Sequence, residues 1–367
     1  MFRSILGLRS GVLKLDFTDQ DIYIGLDIHK KNWTVSIFTE SFEHKTFSQN
    51  PDPVVLVNYL KRNFPGASYH SVYEAGYCGF WIHEALIEAG IDNIVINPAD
   101  VPTKDKERKR KNNRVDSRKL ARSLRNGDLE AIHVHKRELL EDRFLVRTRR
   151  DAAKQQTRYK NKIKGALSFF GILVPVGFNN AHWSGAFIKW IESIVMTRPT
   201  GKSALMDLLD ELKHCRQRVA ELNRDIRQLA TQQHYRDKVR LLKTVPGIGT
   251  LTAMIFLTEL GDIFTRFNNL DKMAAFIGLI PGECSSGEEN QINNTSITPR
   301  SHHYLRCMLI ECAWIAVRKD PALAMCYHKY LNRMSGQKAI IRIARKLLNR
   351  MRYVLKNNQQ YVTAVVE

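Results

Sequence analysis

No CxxC pair occurs anywhere in this chain of 367 residues. Its six cysteines, Cys78, Cys215, Cys284, Cys307, Cys312 and Cys326, are scattered. His303 and Cys307 stand four apart and can share a helix face, but no second ligand pair accompanies them. That argues against structural zinc and for the reduced thiols of a cytoplasmic protein. A run of about 18 uninterrupted apolar residues is also missing, which argues against a membrane-spanning helix. The opening stretch MFRSILGLRSGVLKLDF is broken by Arg9, Lys14 and Asp16, and no small-residue cleavage site follows it. It reads as a flexible arm over 1–20 and not as a leader. Acid is in short supply: 37 Asp and Glu stand against 57 Lys and Arg, a formal net charge of +20. Such an excess points to a polyanion, because displacing counterions from phosphates drives association. An anionic membrane surface is the other candidate.

What is present divides along the chain. Residues 22–27 (IYIGLD) read as a buried strand. Residues 32–39 alternate as a second strand after a tight turn through His29 and Lys30, and a third strand covers 43–48. A helix over 52–63 ends before Pro65. A strand over 69–74, a helix over 80–89 and a strand over 92–97 follow, the last closed by Pro98. This order predicts an α/β domain with an antiparallel opening and a later alternating section. A helix over 115–126, ending at Gly127, completes it.

The remainder reads as mainly helical, with several basic segments. Residues 104–111 (KDKERKRK) sit directly before Asp116 and read as phosphate-contacting, with Lys109, Arg110 and Lys111 as candidates; a solvated loop is the bland alternative. Residues 136–164 are dense in charge and predict a long basic helix along a nucleic-acid backbone, with Arg147, Arg150, Lys154 and Arg158 as contacts. In 203–232, Leu205, Leu208, Leu212, Cys215, Val219, Leu222, Ile226 and Leu229 recur at spacings of three and four. This is the pattern of a coiled coil, with an intramolecular helical hairpin against 163–190 as the alternative. The segment Pro246-Gly247-Ile248-Gly249 between two apolar helices has the form of a helix-hairpin-helix. In such a unit, Gly247 and Gly249 let the backbone approach a phosphate. A last basic amphipathic helix over 337–356 offers Arg342, Arg345 and Lys346.

Four residues carry candidate chemistry. Asp27 ends a buried strand, and Glu74 ends another. Asp116 begins a helix, with Asn113 three residues earlier on the same face. Together they are hard oxygen donors suited to Mg2+, and a pair of such ions would stabilise both oxygens of a phosphoryl displacement. Taken singly, each acid is more simply a salt bridge or a cap. Ser285-Ser286-Gly287 is a polar turn that places a hydroxyl, with no base beside it in sequence.

The segments YIGLDIHKKNWTVSIF, VYEAG, KNNRVDSRKLARSL, TVPGIGTLTAMIFLTELGD, FIGLIPGECSSGE and SITPRSHHYLR stand in the order seen in IS110-family transposases. The resemblance runs from about residue 21 to 355. It implies a RuvC-like (RNase H fold) nuclease domain over 21–135, a basic helix and coiled-coil region over 136–235, and a serine-containing, mainly α-helical transposase domain over 236–357, with a tail over 358–367. It further implies a DNA recombinase guided by a structured non-coding RNA, working as a dimer or tetramer with a composite site. The family's acids fall on Asp27, Glu74 and Asp116. The position of its third acid is Asn113, which keeps an oxygen but loses the charge. The family's nucleophile falls on Ser286, with Ser285 adjacent.

The reading is therefore a Mg2+-dependent transposase/recombinase with DNA and a guide RNA as partners. It self-associates through the heptad segment, has no membrane partner, and resides in the cytoplasm with the nucleoid. Two alternatives stand beside it. One is a structure-selective endonuclease of the Holliday-junction resolvase kind. The other is a nucleic-acid-binding relative whose catalysis is weakened at Asn113.

Overall fold

The computed structural model describes residues 16–101, 112–178, 183–281, 298 and 301–363. The chain divides into two compact units, Met1–Val134 and His135–Glu367.

The first unit is built on a five-stranded mixed sheet: β1 (Asp21–Ile28), β2 (Trp33–Phe38), β3 (Glu43–Gln49), β4 (Ser68–Glu74) and β5 (Asp92–Ile96). Their spatial order is β3-β2-β1-β4-β5. The first three strands pair antiparallel. β4 and β5 join parallel to β1 through helices α1 (Pro53–Asn63) and α2 (Trp81–Glu88). Asp52 caps α1 by accepting from the Val54 amide at 2.8 Å, and Pro53 occupies the first turn, where no amide donor is needed.

Strand alternation sorts the two faces. Ile22, Ile24, Leu26, Trp33, Val35, Ile37 and Tyr73 point into one core with Leu56, Leu60, Ile82 and Leu86 of α1 and α2. The opposite face is polar and small on β1 and β2 (Gly25, Thr34, Ser36), and there helix α3 (Asn113–Asn126) lies. Val72 and Ile96 meet Leu120 of α3 in a second, smaller core. Asn112 caps α3 through the Arg114 amide, and Gly127 ends it in the left-handed region at φ 73°.

The second unit is mostly helical in its described residues. Two long helices, α4 (Arg137–Phe169) and α6 (Pro199–Leu229), run antiparallel: Tyr235, just past the end of α6, bonds Asp142 near the start of α4, Arg149 bonds Asn223, and Leu167 meets Leu205. At one end Ile163 and Leu167 pack with Leu205, Leu209 and Leu212, closed by Trp183 and by Phe187 and Ile191 of α5 (Gly185–Ser193). At the other, Val146, Ile226 and Leu229 join the main helical core. That core is formed with α7 (Gln233–Leu242), α8 (Thr250–Leu260), α9 (Ile263–Arg266), α10 (Leu270–Ile277), α11 (His303–Lys319), α12 (Pro321–Leu331) and α13 (Gly336–Asn357).

The heptad residues of α6 are thus covered by α4 and the main core within one chain: Leu205, Leu212, Cys215, Leu222, Ile226 and Leu229 are buried, and Val219 and Leu208 are half-buried. This is the hairpin arrangement of the seam. Pairing of two copies, which the sequence pattern had assigned to these side chains, would have to use another face, because their apolar surface is already removed from water.

Candidate functional site

Asp27, next to last in β1, lies on the face that carries α3, two residues beyond Gly25. A Cβ on Gly25 would lie 2.0 Å from the Ser117 carbonyl oxygen and 2.5 Å from the Ala121 amide nitrogen. Only glycine lets α3 lie so directly on the strand. The contact is pinned by hydroxyls: Ser117 Oγ is 2.8 Å from Ser36 Oγ, which is 2.8 Å from Thr46 Oγ1. Arg118 binds Glu43 at 2.6 Å and donates to Thr46 at 3.0 Å.

Register then fixes the other donors. Leu26 of β1 pairs with Tyr73 of β4, so the next residues, Asp27 and Glu74, stand at the carboxyl ends of adjacent parallel strands. Glu74 shares the α3 face with Val72. Across the antiparallel side, Asp27 pairs with Thr34, and Thr34 with Ser48. Asn113 lies one helical turn before Ser117. With Asn112, Arg114, Asn32, Thr34 and Ser48 it lines an open polar hollow of about 570 Å³. The N-terminus of α3, bearing Asn113 and half-buried Asp116, therefore lies at the sheet end where Asp27 and Glu74 emerge. Asp27 Oδ2 is 3.2 Å from His29 Nε2. Among the described residues, no three His, Cys, Asp or Glu side chains are close enough together to hold one metal ion. The four oxygen donors share an end of the sheet without being drawn into a cluster.

Two aromatic residues beside this end were not singled out from the sequence. Tyr77 is 61% exposed, yet its hydroxyl donates to the Ile28 carbonyl at 3.2 Å and Lys30 Nζ lies 5.7 Å from its ring. Trp81, 50% exposed, stands against buried Trp33. The available signal was the aromatic-rich run YCGFW three residues after Glu74.

Two family models match the chain. The IS110-type DEDD transposase model covers residues 24–172, spanning Asp27, Glu74, Asn113 and Asp116, and the IS116/IS110/IS902 transposase model covers residues 239–328. The chain belongs to the IS110 family of transposases. Among similar proteins, the transposase for insertion sequence element IS1533 of Leptospira borgpetersenii is 23% identical over 66% of this chain and 70% of its own length. The transposase for insertion sequence element IS1111A of Coxiella burnetii is 24% identical over 72% of this chain and 71% of its own length. The protein y4qE of Sinorhizobium fredii is 27% identical over 66% of this chain; the match spans 57% of y4qE, under two thirds of its length.

The other predicted site residues of this IS110-type chain are distributed unevenly. Ser285, Ser286, Lys109, Arg110 and Lys111 lie outside the described residues. On α4, Arg147, Arg150, Lys154 and Arg158 form one stripe, but its first member is engaged internally. Arg147 grips the 1%-exposed carboxylate of Glu259 on α8 with two bonds, 2.9 and 2.7 Å, and His302 Nε2 adds a third contact at 3.1 Å. Burial alone would raise the Glu259 pKa; the Arg147 and His302 bonds outweigh it and bring the carboxyl down to about 2.

Arg147 thus has a buried partner in its own fold, which charge density in the sequence does not show, while its side chain stays 47% exposed. Arg150 stacks on Tyr304, Lys154 makes a loose 3.9 Å pair with Asp151, and Arg158 is exposed. Gly247 adopts φ +87°, and its missing Cβ admits the Cys312 carbonyl of α11, so this glycine serves helix packing; Gly249 precedes α8 as its N-cap and has open space around it. On α13, Arg345 pairs with Asp271 and Arg342 lies over Tyr330, whereas Lys346 is exposed. The apolar side of α13 lies in the main core. No helix among the described residues is long and apolar enough to cross a membrane.

Proposed function

We propose that this chain is an insertion-sequence transposase that cuts and rejoins DNA, with a RuvC-like first unit supplying acids and a second unit supplying Ser286. The observation that carries the reading is register: Asp27 and Glu74 end neighbouring parallel strands at the same sheet end as the start of α3, with Asn113 and Asp116. The donor set is all oxygen, which suits a hard divalent cation such as Mg2+. Asp27, Glu74, Asp116 and the neutral Asn113 would hold it. When bound, such an ion stabilises charge developing on phosphoryl oxygens.

The chain's own groups do the rest. Ser286 Oγ loses its proton and attacks a backbone phosphorus; an O–P bond to serine forms, and the strand's bond to its leaving sugar oxygen breaks as that oxygen takes a proton. A sugar hydroxyl of another strand then attacks the same phosphorus and releases serine. One phosphodiester is exchanged for another, so no nucleotide cofactor is consumed. Tyr77 and Trp81 present ring faces beside the acids on which bases can stack. Guidance by a structured RNA, assembly of two or more copies to complete the site, a helix-hairpin-helix grip through 246–249 and a cytoplasmic, nucleoid-associated setting complete the proposal; they rest on the family resemblance and the basic charge. The domain limits 21–135, 136–235 and 236–357 belong to it as well.

A denaturing gel tests the central step. With labelled donor DNA, candidate guide RNA and Mg2+, the parent chain should form a covalent protein–DNA adduct that Ser286→Ala abolishes and Ser285→Ala retains. Cleavage that survives Ser286→Ala would establish the second reading, an endonuclease working through the acids alone.

A further inference from the structure

We propose that the hollow between α4 and the start of α11 is a phosphodiester-binding site, in which Tyr304 fixes Arg150 as a fork for one backbone phosphate of a nucleic acid. The inference rests on the nucleic-acid reading above and gives it a defined contact.

The hollow is open, about 390 Å³ in volume, and is lined by Arg149, Arg150, Ala153, Lys154, Thr157 and Tyr304. Three cations face it and no acid lines it; the neighbouring Asp151 is exposed and pairs loosely with Lys154, at 3.9 Å. Gathered like charges with so little internal compensation favour a bound anion. Arg149 and Arg150 are held before any ligand arrives. The Arg150 guanidinium carbon lies 4.3 Å from the centre of the half-buried Tyr304 ring. Stacking constrains the guanidinium plane and leaves its N–H edge available, the geometry that suits two phosphate oxygens. Arg149 is aimed by its 2.9 Å bond to Asn223 of α6. Burial pushes the Tyr304 phenol up, so it stays neutral and leaves the cations uncompensated.

Tyr304 is itself placed by a chain of bonds. Arg147 on α4 holds Glu259, Glu259 holds His302, and His302 Nδ1 caps α11 by accepting from the Leu305 amide at 3.2 Å. Arg147 and Arg150 are one turn apart, so the salt bridge and the fork share one face of α4. An open hollow cannot enclose a small ligand, whose sites bury most of its surface. It can receive one phosphate of a polymer that continues past it, and Lys154 and Arg158 extend the stripe along α4. A phosphate of DNA and one of RNA have the same chemistry here.

The test is fluorescence anisotropy with the full-length chain. Labelled duplex DNA, single-stranded DNA and RNA of matched sequence are titrated over a range of KCl concentrations. In the polymer that occupies the hollow, Arg150→Gln should weaken binding about tenfold and flatten the plot of log affinity against log salt. The slope should fall by about 0.9 for a duplex or about 0.7 for a single strand. Tyr304→Phe keeps the ring and should match the parent; Tyr304→Ala should weaken binding about threefold by freeing Arg150. Because Tyr304→Ala can disturb α11, the half-exposed Arg149→Gln supplies an independent charge variant, expected to lower the slope similarly. If Arg149→Gln and Arg150→Gln leave slope and affinity unchanged while the parent binds, the hollow is not the contact and the broader reading stands. A parent that binds none of the three polymers overturns both. Equal competition by inorganic phosphate and by oligonucleotide would mark a small-anion site and overturn the polymer assignment.

Discussion

Substituting Gly25 by alanine should damage the first unit more than a single methyl suggests, and the structure gives the size of the effect. The new Cβ would sit 2.0 Å from the Ser117 carbonyl oxygen and 2.5 Å from the Ala121 nitrogen. A carbon–oxygen contact normally settles near 3.4 Å, so α3 would have to lift by roughly 1.4 Å. Both obstacles are backbone atoms of a helix, and no side-chain rotation relieves them. A lift of that size carries the 2.8 Å Ser36–Ser117 hydroxyl bond out of hydrogen-bond range. Overpacking costs about 1–3 kcal/mol and a lost buried hydrogen bond about 1 kcal/mol, together near 3 kcal/mol. For a unit of this size, that is a fall in melting temperature on the order of 10 °C.

The functional consequence should be larger than the loss of stability. Asn113 and Asp116 ride on α3 while Asp27 and Glu74 ride on the sheet, so the lift separates the two halves of the donor set. Misplacement of about 1 Å typically costs about a hundredfold in rate. The assay is thermal unfolding of the full chain with hydrogen exchange at the α3 amides, followed by strand cleavage below the melting temperature. Gly76→Ala is the matched control: its Cβ would meet nothing nearer than the Glu74 carbonyl oxygen at 3.9 Å. If Gly25→Ala melts within about 2 °C of the parent and its α3 amides stay as protected, then α3 does not rest on β1 through Gly25.

Glu259, with its folded pKa of about 2 below the ordinary 4.5, contributes stability that is complete above about pH 4.5 and lost as pH falls toward 2. The contribution is about 3 kcal/mol, so acid unfolding of the parent should begin at lower pH than that of a chain lacking the bridge, and Glu259→Gln should lose stability at neutral pH while flattening the acid limb; an unchanged acid limb would contradict the bridge. Gly165 lies inside α4 with nothing within 4 Å of its would-be Cβ, so Gly165→Ala should stabilise the second unit by about 0.5–1 kcal/mol in chemical denaturation, and a loss would mean that α4 is not helical there. Asn113→Asp restores a charge to the donor set and should tighten Mn2+ binding, followed by electron paramagnetic resonance, by roughly tenfold, whereas Asp27→Ala should weaken it; Mn2+ affinity indifferent to both would remove these residues from any metal site.

Much of the first unit was legible because its signals are local. The buried run in 22–27, the alternation in 32–39, the helix stop at Pro65 and the glycine at 127 depend on residues within a turn or two of each other. The elements form within a residue or two of the expected limits. The convergence of Asp27, Glu74 and the start of α3 was only implied by order, since it depends on the parallel β1–β4 register and on Gly25 admitting a helix, which are contacts between distant segments. Tyr77 and Trp81 escaped because an aromatic run reads as core until its exposure is known.

The basic residues show the sharper limit. A net charge of +20 says that a polyanion is expected, but it does not say which cations will meet it. Arg147, Arg345 and Arg350 all lie on helices read as nucleic-acid-facing, and each is held by an acid of its own chain: Glu259, Asp271 and Asp320. Two of those acids are almost fully buried, with side chains 1% exposed or less, where an unpaired carboxylate would be costly. The arginines therefore answer a demand created by the fold before any ligand is considered. The cations left for a ligand are those whose neighbours are other cations or aromatic rings. By that criterion Arg150 beside Tyr304 ranks above Arg147, though the two are three residues apart and equivalent in sequence pattern. Charge reversal at the two positions separates the roles. Arg147→Glu should lower stability with the loss of the Glu259 bridge, whereas Arg150→Glu should leave the melting temperature within about 2 °C and act on nucleic-acid affinity alone. Equal destabilisation by both would show that the stripe is structural along its whole length.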